Sequence, residues 1–297
     1  MISLIVCSAN PIMLEEFKTN VNQTIGVEYE LIEFDNRINK WGLCKVYNEC
    51  AQKAKYDYLL FVHEDMYFFT NGWGKILIDF CRSHSNCGVI GLAGSNYVDE
   101  HFVEWRIDRF VSFSHVFVSS KKNLPIDQKT LKSYHNGKKQ FEEVVVIDGM
   151  FMFTSKDVFL RFKFDEVNYD NFHIYDTDFS FSVATQFNNY VCTIIDSFHR
   201  SQSSFSKEYI NGLIRFLEKR RQMLPKSSMK LAPLHKRVIK IHEKISFNNA
   251  LKDNAYSTDE LEILWGRYHR NNTKIKIIER ITNYFYGKLF NIKTKNV

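Results

Sequence analysis

Glycine and proline are scarce, 12 and 4 in 297 residues, which excludes a collagenous, linker-rich or repeat chain. No CxxC pair occurs among the six cysteines Cys7, Cys44, Cys50, Cys81, Cys87 and Cys192. Several sit in apolar or helical stretches where a small buried hydrophobe serves, so they read as free thiols in a reducing compartment. No run of 18 apolar residues is present, so no segment reads as a membrane-crossing helix. Met1 to Val6 lacks a charged leader and a small-residue cleavage site and reads as a first strand rather than a signal peptide. Also missing are the Gly-rich phosphate loop that ends in Gly-Lys-Ser/Thr and the Gly-x-Gly-x-x-Gly fingerprint, which argues against a phosphate-transferring nucleotide enzyme.

What is present suits a folded chain with a sizeable core: 44% hydrophobic and 25% charged residues. Charge is unevenly divided. Residues 1–214 carry 21 Lys+Arg against 27 Asp+Glu, a net of −6, whereas residues 215–297 carry 19 against 7, a net of +12. Such a basic tail points to an anionic partner, a membrane surface or nucleic acid.

The opening ISLIVCSAN is a β-favouring run ending in a loop, and Met13, Leu14, Phe17 and Val21 follow at helical spacing. Tyr29 to Phe34 reads as a strand, Leu43 to Ala54 as a helix, and Tyr58 to Val62 as a fully apolar strand. This β-α-β-α-β alternation predicts an α/β fold with a parallel sheet and crossover helices, whose ligands lie beyond the carboxyl ends of the strands. Further along, Ile76 to Cys81 and Asp176 to Phe187 read as helices, and Val89 to Ala93, Val144 to Ile147 and Tyr190 to Ile195 as strands. Residues 95–143 form a long excursion with hairpin-like alternation from Arg109 to Val118 and a polar run from Lys121 to Lys139; Phe159 to Asn171 reads as irregular. The boundary falls near residue 205, giving an α/β domain at 1–205 and a basic, mainly helical region at 206–297. Its helices are expected at Tyr209–Met223, Leu234–Phe247, Asp259–Tyr268 and Lys274–Phe290.

Polar groups gather just after these strands. LLFVHEDMYF delivers His63, Glu64 and Asp65 to the end of a buried strand, where oxygen and imidazole ligands could hold Mn²⁺ or Mg²⁺; an ordinary polar loop is the alternative. Asp35 and Asn36 end the second strand and also suit a plain turn. Asp148-Gly149 follows the apolar VVVI: glycine permits close backbone approach to a ligand and Asp can bind its polar groups, but a strand-end turn competes. FHIYDTDFSF places Asp176 and Asp178 at a helix start, where capping or the helix dipole could account for one of them. His199 follows the last core strand and is a ligand candidate or an ordinary packing residue.

The order of these features resembles the family 2 glycosyltransferases and relatives with the GT-A fold, a Rossmann-like mixed, mainly parallel sheet, here with a C-terminal helical extension. In that family a strand ends in an Asp-x-Asp metal motif. Here His63 replaces the first Asp and Asp65 matches the second, a His-x-Asp variant resembling a branch found among bacterial surface-polysaccharide enzymes. The resemblance implies an enzyme, metal-dependent and probing a nucleotide-sugar donor, with UDP the expected nucleotide and Mn²⁺ or Mg²⁺ the cation. By the same match Ser8 and Asn10 lie near the nucleotide, Asp35 holds the base with Asn36 its neighbour, and Asn48 sits at the nucleotide pocket or serves as a helix-face residue. Asp65 and His199 would ligate the metal, with His63 beside them. Asp176 would be the general base and Asp178 its support, since a sugar hydroxyl is a poor nucleophile unless a carboxylate takes its proton. One base and one cation suffice for an inverting displacement.

The expected partners are a nucleotide sugar and a glycan or lipid-linked saccharide acceptor. Tyr284, Phe285, Tyr286, Leu289 and Phe290 among Lys288, Lys293 and Lys295 suit an anionic membrane surface, placing a cytoplasmic protein peripherally on the inner face of the cell membrane. Helix packing or oligomerisation is the alternative for this tail. Against these readings stand a non-catalytic nucleotide-sugar-binding subunit and a nucleic-acid binder using the basic tail; no groove-reading motif is recognisable, so no nucleic acid partner is expected.

Overall fold

The computed structural model describes residues 1–253 except 107, 109, 119–125, 127, 129, 130 and 201–205. The expected helices after residue 253, and the aromatic and lysine cluster at 284–295, lie outside the described residues. The amino-terminal half builds β1 (Ile2–Ser8), α1 (Pro11–Thr24), β2 (Tyr29–Asp35), α2 (Leu43–Gln52), β3 (Tyr58–His63), β4 (Met66–Phe68), α3 (Trp73–Ser83), β5 (Cys87–Gly91), β6 (Ala93–Ser95) and β7 (Tyr97–Val98). There follow β8 (Ser112–Val118), β9 (Lys132–Asn136), β10 (Phe141–Val144), β11 (Val146–Ile147), β12 (Phe151–Ser155), α4 (Lys156–Phe162), α5 (Tyr175–Val183), β13 (Asn188–Cys192) and β14 (Ser197–His199). The chain continues through α6 (Lys207–Arg220), a 3₁₀ turn, β15 (Lys226–Ser227) and α7 (Pro233–Asp253).

Seven strands form the main sheet in the order β10-β13-β5-β12-β3-β1-β2, and β11-β6-β8-β14-β4 form a second, with β9 on β8. The strands β2, β1 and β3 run parallel, with Ser8 opposite Asp35 and Cys7 opposite His63, so their carboxyl ends are level. Alternation along them feeds two cores. Leu4, Val6, Leu60 and Val62 join Leu14, Phe17 and Val21 of α1 and Leu77 of α3 on one face. Ile5, Leu59 and Phe61 join residues of α2, α4 and α5 on the other, together with Ile210, Leu213, Phe216 and Leu217 of α6 and Phe247 of α7. Helix α6 thus shares the core of the α/β body on which it packs.

Where the strand pattern departs from expectation, the backbone changes partner. The run Val144 to Ile147 splits at Val145, whose N–H bonds to Ser95 O, so β10 belongs to the main sheet and β11 to the second. Within the stretch of alternation, Ser112–Val118 forms one strand, β8, paired with β9 from within the polar run. Strand β12 lies antiparallel between β3 and β5, and the segment expected to be irregular begins with α4, capped by Ser155 Oγ accepting from Val158 N. Among the described residues no helix is long and apolar enough to cross a membrane.

Candidate metal and active site

Strand β3 ends at His63, the chain turns through Glu64 and Asp65, and β4 starts at once. Antiparallel pairing of β4 with β14 sets His199 opposite Met66, which brings its imidazole to Asp65 although 134 positions separate them in sequence. His199 Nε2 lies 3.3 Å from Asp65 Oδ1. His63 completes a cluster in which one ligand atom from each of His63, Asp65 and His199 lies within 4.8 Å of the others. The His63 and His199 rings are 5.6 Å apart, centroid to centroid.

The residues fit a divalent cation on an observation of their own. His199 Nε2 is buried and makes no hydrogen bond among the described residues, because the Asp65 contact is an ion-pair distance without hydrogen-bond alignment. A buried imidazole nitrogen left unsatisfied beside a carboxylate is what a metal ion would complete. Burial opposes charge on His199, but Asp65 outweighs it and holds the imidazole above its ordinary pKa. Burial, then the neighbouring His199, pushes His63 the other way, toward the neutral, ligand-competent form. Its Nε2 is 2.9 Å from the Tyr175 hydroxyl.

The second half of the site comes from β12 and α5. Asp148 ends the crossing from β11, its Oδ2 accepting from Trp105 Nε1 at 2.6 Å and its Oδ1 from Met150 N at 2.9 Å. Gly149 N donates to Asp176 Oδ2 at 2.7 Å, and Thr177 N to Asp176 Oδ1 at 2.7 Å. Despite these donors, burial and the Asp148 carboxylate push Asp176 up to about 7. A carboxyl group with that value is a competent proton acceptor near neutral pH. Helix α5 is entered through Ile174 at φ 65°, a left-handed conformation that is costly for a β-branched residue and is kept where it aims Tyr175 and Asp176 at the strand ends.

The strand-end positions Ser8, Asp35, His63, Asp65, Asp148, Gly149, Asp176 and His199 therefore gather at one end of the sheet. Four of the candidate residues also have partners of their own within the fold. Asp178 points away: its carboxylate accepts from Lys219 Nζ at 2.8 Å and from Arg220 Nε and Nη2 at 3.0 and 2.8 Å, fastening α6 to α5. Asn48 spends both side-chain groups on the backbone of Phe164, at 2.9 and 3.0 Å, and braces α2. Asn36 likewise closes its own loop, bonding the N–H and C=O of Trp41. Asn10 caps α1 through Oδ1. Asp35 is exposed and held by Arg37, whose guanidinium lowers its carboxyl to about 2, so it meets any ligand as an anion.

Tyr175 and Trp105 are participants not singled out from the sequence as site residues, and Glu64, read there as one of three ligand-type groups, serves as a loop tie. The Glu64 carboxylate accepts from Ser8 Oγ at 2.5 Å and from the N–H groups of Ala9 and Asn10 at 3.0 Å each, tying the β1–α1 loop to the metal turn. Tyr175 stood beside Asp176, so adjacency was the available signal; Trp105 had none.

A family model described as "Glycosyltransferase like family" matches residues 3–211. No curated protein matches the sequence significantly. Among solved structures, the chain is similar to GalNAc-T7, crystallised with UDP, GalNAc and Mn²⁺, at a TM-score of 0.51 and 11% identity over 73% of this chain; it spans 47% of that chain. A mannosyltransferase from Pyrobaculum calidifontis, in complex with GDP-Man and Mn²⁺, aligns at a TM-score of 0.48 and 11% identity over 99% of this chain and 88% of that one. S. aureus TarS 1-349 in complex with UDP-GlcNAc aligns at 0.47 and 11% over 92% and 77%.

Proposed function

The chain belongs to the glycosyltransferase-like family, and on that premise we propose that it transfers a sugar from a nucleotide-diphosphate donor, a UDP-sugar, to a glycan or lipid-linked saccharide acceptor with inversion at the anomeric carbon. The observation that carries this reading is the convergence of the His63, Asp65 and His199 ligand atoms with a carboxyl group, Asp176, raised to about 7 in the same strand-end cleft.

A divalent cation held by Asp65 and His199, with His63 in reach, would neutralise the departing diphosphate. The protein's own groups do the rest. Asp176, held by Gly149 and Thr177 N–H groups, accepts the proton of the attacking acceptor hydroxyl. Burial first, and then like-charge repulsion from Asp148, keep it poised near neutral pH. Tyr175 orients His63, and Glu64 holds the β1–α1 loop where a nucleotide would sit against the ends of β1 and β2. Direct attack by a base-assisted hydroxyl needs no covalent intermediate, which supports inversion.

The proposal extends to a role in bacterial surface-polysaccharide synthesis at the inner face of the cell membrane, supported by the net charge of +12 on residues 215–297. A screen of nucleotide sugars with and without Mn²⁺ tests the core reading. Transfer or donor hydrolysis that needs metal is expected from one donor and is lost in Asp65→Ala; Asp176→Asn should retain donor binding and lose turnover. A protein that binds no nucleotide sugar under any condition refutes it.

A further inference from the structure

Outside the strand-end cleft, three adjacent strands set two histidines and an aspartate in one row. His115 of β8 faces His135 of β9 directly across the antiparallel ladder. Strand β14 runs parallel to β8 with Phe198 beside Phe117, and the same register carried back two residues brings Asp196 abreast of His115. Directly opposed residues on one sheet face have Cβ atoms about 5 Å apart, so such a row is a natural chelate. His199 is an odd number of positions from Asp196 and by strand alternation projects from the other face, toward Asp65.

The side chains bear this out. His115 Nε2 is 2.7 Å from Asp196 Oδ1, and the His115 and His135 rings stack with centroids 3.7 Å apart. One ligand atom from each of the three lies within 4.8 Å of the others. Supporting groups fix the row: Gln128 Nε2 donates to the second Asp196 oxygen at 3.0 Å. The Asp196 backbone is pinned by Thr70 Oγ1 at 2.8 Å and by Phe69 N at 2.9 Å. The Phe117 ring stands edge-on to His135. A ligand carboxylate whose free oxygen is hydrogen-bonded is the usual outer arrangement of a protein metal site.

We propose that His115, His135 and Asp196 form a second metal site, for a borderline transition cation of the Zn²⁺ type, separate from the site at Asp65 and independent of the transferase reading. Two imidazoles and one carboxylate favour Zn²⁺ over Mg²⁺, and three protein ligands leave a fourth tetrahedral position for water. Tetrahedral bonding at about 2.0–2.2 Å sets ligand atoms roughly 3.4 Å apart, so the row contracts by no more than about 1.4 Å from its present spread. Exposed His135, on a strand that pairs only with β8 among the described strands, can supply that motion. Burial, then His115, lowers the His135 pKa and keeps the imidazole free to bind. Bound metal would clamp β9 and β8 to the strand that presents His199.

Equilibrium dialysis of the full chain against Zn²⁺, with elemental analysis, tests this. Wild type should bind two ions, the Asp65→Ala/His199→Ala variant one, and the same variant carrying His135→Ala none at concentrations that fill the second site, its affinity having fallen at least tenfold. If the double variant binds no Zn²⁺, or His135→Ala leaves its stoichiometry unchanged, the proposal is wrong. Should the double variant fail to fold by circular dichroism, wild type against His135→Ala alone decides: two ions against one supports the site, and equal stoichiometry overturns it.

Discussion

Gly149→Ala offers a severe test of how the catalytic cleft is built. A Cβ at Gly149 would stand 2.1 Å from the Tyr175 hydroxyl oxygen, 2.5 Å from its ring carbon and 3.0 Å from the Asp176 Cβ. Ordinary contact begins near 3.4 Å, so the hydroxyl must retreat by about 1.3 Å. Tyr175 cannot swing aside freely, because its ring packs against Tyr47 and Phe164 at 5.8 and 6.0 Å between centroids. Moving it stretches the 2.9 Å contact to His63, and the same push displaces Asp176 from Gly149 N. Overpacking of this kind costs about 1–3 kcal/mol, which for a chain of this size lowers the melting temperature by roughly 2–4 °C per kcal/mol. A misplacement near 1 Å at the reacting groups costs on the order of 10²-fold in kcat. Thermal melting and steady-state transfer assays read the two effects. Tyr175→Phe in the Gly149→Ala background removes the closest atom and should recover part of the stability without recovering full turnover. Wild-type melting and turnover in Gly149→Ala would refute the packing of β12 against α5 described above.

Other outcomes follow from the same geometry. Because Asp65 raises the His199 pKa above 6.5, protons compete with metal until the pH passes that raised value. Mn²⁺ affinity measured by calorimetry should therefore go on tightening as pH rises above 6.5, by up to about tenfold per pH unit. In the metal-free protein the sign reverses: the charged pair's stabilisation is complete below the unfolded histidine pKa and is lost as pH rises through the folded one, so melting temperature falls over the same interval. Asp178→Ala leaves Lys219 and Arg220 without their shared carboxylate and should destabilise by about 3 kcal/mol, at the lower end for such pairs since Lys219 is 31% exposed; denaturant unfolding should show it while folded enzyme keeps its kcat. Asn48→Ala strips partners from the buried Phe164 backbone, about 1–3 kcal/mol by the same assay, with the KM for donor unchanged.

The division between legible and hidden features follows from range. Asp35, His63 and Asp65 are recognisable because they end or directly follow β2 and β3, and parallel strands deliver such positions to one end of the sheet without any tertiary detail; Asp148 follows β11 of the second sheet and reaches that end only through tertiary structure. Asp176 and Asp178 looked equivalent, being two residues apart at a helix start. Two helix positions differ in direction by about 200°, so one reaches the Gly149 N–H and the other is sequestered by α6. Which of the two went where depended on the docking of α6, a contact across some 40 residues that no local pattern encodes. The same holds for the polar run that became β9: apart from Tyr134 its residues are not strand formers, and pairing with β8 decided its form.

By itself the sequence determined where strands end, which faces are buried and which ligand-type residues stand at those ends, because periodicity and apolar runs are local properties. Tertiary structure alone decided which of these meet. The β4–β14 pairing joins His199 to Asp65, the shift of chain between sheets at Val145 aims Asp148 at Asp176, and the row of β9, β8 and β14 assembles His135, His115 and Asp196 from three separate segments. The reason is physical: a site's chemistry needs groups a few ångströms apart, and the distances that matter are set by strand partners chosen through burial of the whole chain.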